Sequence, residues 1–141
     1  MLKELFKNLF GKKKEKELPG NTPAANHADC SWNRLWEAYG SGKLDEIDHG
    51  AYLLCEYESG INGDGHSCYI FNCVNGGQDM PAMLDELKKV LPQQFYEYFK
   101  KAYDSYETDK EDEICTAADD YFYKNEEEII GILQKVADEK F

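Results

Sequence analysis

The chain of 141 residues lacks the long apolar run that a membrane-spanning helix requires. Such a helix needs about 18 or more consecutive apolar residues. The N-terminus also lacks the pattern of a secretory signal, because Lys3, Glu4 and Lys7 interrupt its apolar residues and no small-residue cleavage site follows. We therefore expect a cytoplasmic protein.

Paired cysteines and the common catalytic motifs are missing as well. The five cysteines are odd in number, irregularly spaced and never arranged as Cys-x-x-Cys. This argues against a disulfide framework and agrees with a reducing compartment. No Gly-x-Ser-x-Gly, His-Glu-x-x-His or phosphate-binding loop is present. These absences predict a protein that is not an enzyme and uses no cofactor.

One short segment contains residue types that suit zinc. His66 and Cys68 follow Asp64 closely, and Cys73 lies a few residues further on. Zinc sites are usually built from paired ligands at short spacing, and no such pairing accompanies this segment. We predict no metal site, and a metal-binding protein or enzyme using the His66/Cys68 loop is kept as an alternative.

The charge of the chain is strongly one-sided. It has 28 Asp and Glu against 16 Lys and Arg, a formal net charge of -12. Residues 1–20 run against this trend with six Lys and three Glu, so the remainder is more acidic still. A negative field repels nucleic acid and attracts basic surfaces, so we expect a basic protein partner and no direct binding of nucleic acid. Ordinary solubility of an acidic protein is the alternative explanation.

Three segments divide the chain. In residues 1–17 apolar residues recur at helical spacing and lysines lie off the apolar stripe, which predicts a short basic amphipathic helix. It could make weak contact with an anionic membrane surface through residues 1–14, dock on the domain or on a second copy, or fray. Residues 18–30 contain two Pro and a Gly and predict a linker, and residues 31–141 predict an acidic helical domain. The stripe consists of Leu2, Leu5, Phe6, Leu9 and Phe10.

Hydrophobic periodicity predicts a mostly α fold, a single compact domain of six or seven helices. Ser31 is the predicted cap of the first helix. A second helix begins at Leu44 and stops at Gly60, with Glu58 as the one polar residue on its apolar face. Residues 60–66 then predict a loop. Residues 67–74 fit either a strand or a buried helical segment.

The second half of the domain carries clearer helix signals. Asp79 and Pro81 predict the start of one helix, and Pro92 predicts the start of the next. Residues 109–113 predict an acidic break, followed by a short helix or turn that buries Phe122. Asn125 with Glu128 three residues on predicts the capping box of a last helix.

Acidic residues are densest between residues 97 and 128, where twelve of them face four lysines. Tyr and Phe are interleaved with the acids, which distinguishes this segment from a disordered acidic tail. Carboxylates held on a folded surface can occupy a basic, DNA-binding groove of another protein, since they satisfy Arg and Lys that would otherwise meet phosphates. An ordinary solvated face is the alternative.

Three stretches resemble the DNA-mimic protein family, long known as a bacterial domain of unknown function. The first is Leu44-Asp-Glu-Ile-Asp48 with Tyr52-Leu-Leu-Cys-Glu-Tyr-Glu58, and the second continues through Asn62-Gly63-Asp64-Gly65 to Asn72. The third is Ala118-Asp-Asp-Tyr-Phe122-Tyr-Lys124. The resemblance covers Leu44–Phe141, and His66 stands where the family usually has an apolar aromatic residue.

This resemblance implies a helical, dimer-forming fold whose acidic surface imitates DNA phosphates and binds a transcription regulator. Acids near the loop and around residues 104–120 are then the candidates for partner contact, and four loop residues are expected to serve the fold. The candidate acids are Asp64, Asp104, Glu107, Asp109, Glu111, Asp112, Glu113, Asp119 and Asp120. The expected structural residues are Asn62, Gly63, Gly65 and Asn72, where glycine tolerates positive φ and Asn72 bonds loop backbone.

The same surface physics also fits an immunity or antitoxin-like protein that neutralises a cationic toxin. Both functions depend on exposed carboxylates and on affinity that falls with salt. The identity of the partner separates them, and sequence alone does not supply it.

Overall fold

The computed structural model describes residues 30–141. Within this part of the chain there are six helices and no strand. The mostly α prediction is therefore confirmed for these residues. The predicted amphipathic segment 1–17, and the predicted linker apart from Cys30, lie outside the described residues. The helices are α1 (Ser31–Gly40), α2 (Leu44–Ile47), α3 (His49–Asn75), α4 (Met80–Val90), α5 (Gln93–Asp104) and α6 (Glu111–Lys140).

Two compact units contain these helices. The described part of the first unit consists of residues 30–44 and 134–141, and the second unit is Asp45–Leu133. In the first unit Leu35, Leu44 and Ala137 are buried. The Ser31 hydroxyl donates to the Asp138 carboxylate at 2.9 Å. The prediction that Ser31 caps α1 is therefore wrong: Cys30 is the N-cap residue, and the Ser31 hydroxyl bonds a carboxylate distant in sequence.

A break between α2 and α3 replaces the single helix predicted from Leu44. The side chain of Asp48 accepts a hydrogen bond from the Ala51 N–H at 3.0 Å and so caps α3. An aspartate in this position satisfies one of the backbone donors that a helix start leaves unpaired. The apolar pattern suggested one continuous helix, but the Asp48 cap starts a new helix at His49.

The range given as α3 consists of two helical segments that meet at a kink within the segment that was predicted to be a loop. Gly60 does not end the helix. Glycine is needed at this position because any side chain would overlap the ring of Tyr69. Residues 67–74 are helical, which decides the ambiguity between strand and helix. The one interruption is Gly65, where φ is 78° and ψ is 169°. A kink thus replaces the predicted loop, since a single residue leaves helical geometry.

Helix α6 likewise runs without the predicted break and restart. Asn125 lies in its interior and donates from Nδ2 to the Tyr121 carbonyl at 2.9 Å, so it is not a cap. The helix begins at Glu111, inside the segment 109–113 that was predicted to be an acidic break. One buried stripe passes through the whole length and explains the continuity. Its members are Cys115, Ala118, Phe122, Ile129, Leu133 and Ala137.

The two helices between α3 and α6 match their sequence signals. The Asp79 carboxylate accepts from the Ala82 N–H at 3.1 Å, and a proline occupies the first turn of α4. Pro92 directly precedes α5 as its N-cap residue. Phe95 and Phe99 on α5 are fully buried. These starts were predictable because cap and proline act on the residues next to them.

Aromatic side chains form the centre of the second unit. The Tyr57 ring lies edge-on to Phe99 and Phe122, with centroids 5.8 and 5.9 Å apart. Phe95 meets Phe122 at 6.3 Å. Edge-to-face pairs at these distances are favourable beyond the area they bury. This cluster joins α3, α5 and α6 and supports the surface that α5 and α6 present to solvent.

Candidate protein-binding surface

The turn that connects α5 to α6 is fixed by internal hydrogen bonds. The buried Ser105 hydroxyl donates to the Ala102 carbonyl at 2.8 Å, and the Thr108 hydroxyl donates to the Ser105 carbonyl at 2.7 Å. Glu107 has a φ of 64°, which is uncommon for a residue other than glycine. A strained residue persists only where its surroundings hold it in place.

Glu111, the first residue of α6, supplies that support. Its Oε1 accepts the Glu107 backbone N–H at 2.8 Å, and its Oε2 accepts the Ser67 hydroxyl at 2.7 Å. The hydrogen bond from the Glu107 backbone, and after it that from Ser67, lowers the pKa of Glu111. Glu111 was predicted to contact a partner. The structure instead places both carboxylate oxygens in bonds within the protein, where they tie the turn to α3.

Five other predicted acids around this turn are exposed to solvent. We call them the acidic turn surface: Asp104, Glu107, Asp109, Asp112 and Glu113. Asp104 is also bonded to Lys100 at 2.7 Å, a pair one helical turn apart on α5. An open groove of about 400 Å³ lies beside these residues. It is lined by Lys101, Asp104, Ser105, Thr108, Asp109, Lys110 and Ile114.

Asp119 lies two turns further along α6 and is turned toward the kink in α3. Its Oδ1 accepts from the His66 backbone N–H and from His66 Nδ1, both at 2.8 Å. A Cβ on Gly65 would stand 3.0 Å from the Asp119 carboxylate. The kink therefore brings backbone close to a carboxylate, and glycine is needed both for the space and for the positive φ.

His66 is completely buried behind Asp119. Because the ionised carboxylate can only accept, Nδ1 carries the proton, and Nε2 accepts from the Tyr57 hydroxyl at 3.3 Å. Burial lowers the pKa of His66, and the hydrogen bond to Asp119 opposes that effect. Both ring nitrogens of His66 therefore already have a hydrogen-bond partner within the protein. No group of three or more potential metal ligands occurs among residues 30–141.

Consecutive residues of α3 thus hold two carboxylates of α6. His66 binds Asp119 and Ser67 binds Glu111 immediately after the kink. Asp64, directly before the kink, and Asp120, directly after Asp119, are exposed. The nine predicted contact residues therefore fall into two kinds: Glu111 and Asp119 are partly buried and bond to α3, and the other seven, including Asp104 with its bond to Lys100, are exposed.

The four residues expected in a structural loop lie within α3. Asn62 Nδ2 approaches Glu58 at 3.5 Å, and Asn72 Nδ2 approaches the Cys68 sulfur at 3.9 Å instead of bonding loop backbone. Gly63 has open space around its Cα, and the positive φ belongs to Gly65. Asn62, Gly63 and Asn72 therefore lie in helical segments and not in a loop, whereas Gly65 has the positive φ that was expected of a glycine in this stretch.

A buried carboxyl pair was not predicted. Glu58 is 5% exposed, and its carboxyl group hydrogen-bonds that of Glu126 on α6. Burial first, and then this neighbour, raises the pKa of Glu58 well above its ordinary value. Two carboxyl groups can share a hydrogen bond only when one of them is protonated. The signal was present in the sequence, because Glu58 is the one polar residue on an apolar stripe.

The chain matches the family described as DMP19-like protein over residues 27–140. This chain belongs to the DMP19-like family. The family is one of DNA-mimic proteins and is generally non-enzymatic. No curated protein and no solved structure matches the chain.

The DMP19-like match extends further toward the N-terminus than the resemblance at Leu44–Phe141 indicated. It begins at residue 27 and so includes α1 as well as all nine predicted contact residues. Among the described residues, none of the helices is both long enough and apolar enough to cross a membrane. Family membership makes a protein-binding role for the acidic face the first function to consider.

Proposed function

We propose that this protein is a non-catalytic binding module whose acidic turn surface imitates DNA phosphates and occupies the basic groove of a DNA-binding protein, such as a transcription regulator. The observation that carries the proposal is the arrangement at the α5–α6 turn. Five exposed carboxylates lie within residues 104–113, and the backbone that bears them is held by Glu111. Membership of a DNA-mimic family supports the same function.

Charge density supports the comparison with DNA. Duplex DNA carries one charge per about 1.7 Å of its axis. Three exposed acids of the acidic turn surface, Asp109, Asp112 and Glu113, lie close together in the chain across the start of α6. The positive end of a helix dipole favours negatively charged side chains in the first turn, so the start of α6 is a suitable place for an acidic cluster.

Rigidity is the second supporting feature. A flexible acidic segment loses conformational entropy when it binds, whereas a preformed array loses little. Here Glu107 is held through its backbone N–H, and Thr108 is bonded to the Ser105 carbonyl. Exposed carboxylates on such a backbone can meet the Arg and Lys of a basic groove without reordering the chain.

The test begins with affinity capture by the full chain from its native host, followed by identification and purification of the partner. We expect a basic DNA-binding protein whose complex is displaced by duplex DNA. Its dissociation constant should rise steeply with salt, because exposed charges are screened beyond about 8 Å at physiological ionic strength. The triple variant Asp109→Asn, Asp112→Asn, Glu113→Gln should weaken binding about tenfold or more, whereas truncation of single rim charges changes affinity less.

A matched control removes three charges elsewhere. Asp85→Asn, Glu127→Gln and Glu128→Gln alter exposed acids on α4 and α6 that are not part of the acidic turn surface. Equal weakening by both triple variants would contradict a localised contact and leave only an effect of net charge. A partner that duplex DNA does not displace, for example a toxin whose groove binds no DNA, would contradict DNA mimicry.

A further inference from the structure

His49, the first residue of α3, lies between two carboxylates on two other helices. Its Nδ1 is hydrogen-bonded to Asp45 on α2. Its Nε2 is 3.2 Å from the Oε2 of Glu86 on α4. About half of each of the three side chains is exposed. The histidine therefore links three helices of the Asp45–Leu133 unit through one ring.

The chemistry of the ring decides its charge state in this arrangement. A neutral imidazole has one N–H donor and one nitrogen lone pair, whereas an ionised carboxylate only accepts. With a carboxylate at each nitrogen, both contacts are hydrogen bonds only if both nitrogens carry a proton. In the neutral form one nitrogen lone pair would face a carboxylate oxygen, which is repulsive.

We propose that His49 is a proton-dependent link that, in its imidazolium form, ties the α2–α3 corner to α4 and releases one of its two carboxylates when it loses its proton. The device adds a conformational response to pH that is separate from the acidic turn surface. Two observations support it: the carboxylates come from different helices, and each occupies a different ring nitrogen.

The groups that face His49 all favour the charged form or leave it unaffected. Asp45 and Glu86 are the two acids at the ring, and their hydrogen bonds, Asp45 first, raise its pKa against a smaller opposing effect of burial. Tyr52, one turn on in α3, stacks on the ring at 6.3 Å, and its own pKa is raised chiefly by burial, so it stays neutral. Asp48 bonds the Ala51 N–H and caps α3.

Gly50 and Val90 add an apolar contact beside the link. A Cβ on Gly50 would lie 3.3 Å from a methyl group of Val90, so the corner approaches α4 closely at this point. Loss of one carboxylate contact would therefore loosen the corner without detaching it. The expected response is local opening of α2 and of the first turn of α3, not unfolding of the unit.

The sign of the response follows from the raised pKa. A base whose pKa is higher in the folded state stabilises the fold below its unfolded pKa, and this contribution is lost as pH rises through the folded value. The link is consequently closed below the His49 pKa, which is raised above 6.5, and opens as pH rises through that pKa.

The experiment is an NMR titration of the histidine ring protons in the full chain, with the His49 resonance assigned by its disappearance in His49→Gln. We expect His49 to titrate above the ordinary 6.5. Glu86→Gln should lower its pKa clearly, and Asp45→Asn should do so as well. Asp85→Asn is the matched control, since it removes the same charge from the adjacent position of α4.

A second measurement follows the corner itself. Amide exchange protection factors of Ala51 and Tyr52, whose N–H groups bond Asp48 at the α2–α3 corner, should fall as pH passes through the His49 pKa in the native chain, and this pH dependence should be absent in His49→Gln. A His49 pKa at or below 6.5, or equal shifts in Glu86→Gln and Asp85→Asn, would overturn the proposal. Protection of the Ala51 and Tyr52 amides that is unaffected by the ionisation of His49 would overturn it too.

Discussion

The carboxylate of Asp119 accepts two hydrogen bonds from a single residue, His66, one from the backbone N–H and one from Nδ1. Asp119 belongs to a run of exposed acids and was expected to face a partner. Its bonds close the kink at Gly65 and set the tautomer of a buried imidazole. An acid of the candidate surface is thus part of the scaffold that holds the surface.

Replacement of Asp119 tests this scaffold role. Asp119→Ala leaves the buried His66 with two unsatisfied N–H groups, and a lost hydrogen bond to a charged group costs about 1.5–3 kcal/mol. We expect the free energy of unfolding, measured with urea, to fall by about 2–3 kcal/mol. Asp120→Ala is the control: its exposed side chain should change stability by about 0.5 kcal/mol or less. Similar losses in both variants would contradict the scaffold role.

Two glycines of α3 should respond to alanine with opposite signs. Gly65 combines a φ of 78° and a ψ of 169° with a close approach to Asp119, so Gly65→Ala should destabilise by about 1–3 kcal/mol. Gly63 lies in regular helix with open space around it, and Gly63→Ala should stabilise by about 0.5–1 kcal/mol. Thermal unfolding of the two variants checks the pair. A neutral or stabilising Gly65→Ala would show that the kink is not required.

The buried carboxyl group of Glu58 predicts stability that depends on pH in the opposite direction from most acids. Its pKa is raised in the folded state, so its contribution is lost as pH rises through the folded value. Glu58→Gln keeps the shape and has no proton to lose. We expect this variant to be more stable than the native chain toward alkaline pH and to show a flatter stability profile. Urea unfolding across pH would reveal it, and parallel profiles would count against a protonated Glu58.

The stability contributed by Glu111 should depend on pH in the opposite direction from that of Glu58, because its pKa is lowered. Its lowered pKa means that its contribution is present above its unfolded pKa and is lost as pH falls through the folded value. Glu111→Ala removes the acceptor for Glu107 N–H and Ser67, at a cost of roughly 1 kcal/mol for a partly exposed site. Glu113→Ala, two residues on and exposed, should leave stability nearly unchanged. Partner affinity should respond to both variants, and stability only to the first.

Several helices were predictable because their signals are local. Asp79 caps α4 and Pro92 precedes α5, as predicted from their positions in the sequence. Caps and prolines act on neighbouring backbone, and a period of 3.6 residues reports one face of one helix. The same local rules failed at Gly60 and Asn125, where residues typical of helix ends lie inside helices packed on distant side chains.

Local sequence patterns could not predict which of the candidate acids face solvent and which bond within the protein. Composition identified where carboxylates are concentrated, and the family resemblance supplied the candidate set, of which seven side chains are exposed. The inward orientation of Glu111 and Asp119 depends on Ser67 and His66, which lie 44 and 53 residues away in the chain. An aspartate on a helix has the same sequence signature whether water or a histidine stands opposite it.

The amino-acid order thus contains the helical character, the acidic balance and the absence of catalytic motifs, because each depends on composition or on neighbours within a few positions. The position of the kink, the carboxyl pair of Glu58 and Glu126, and the two carboxylate contacts of His49 depend on which helices meet. Only tertiary packing brings those groups within hydrogen-bonding distance, and at that distance burial and neighbouring charge set their protonation.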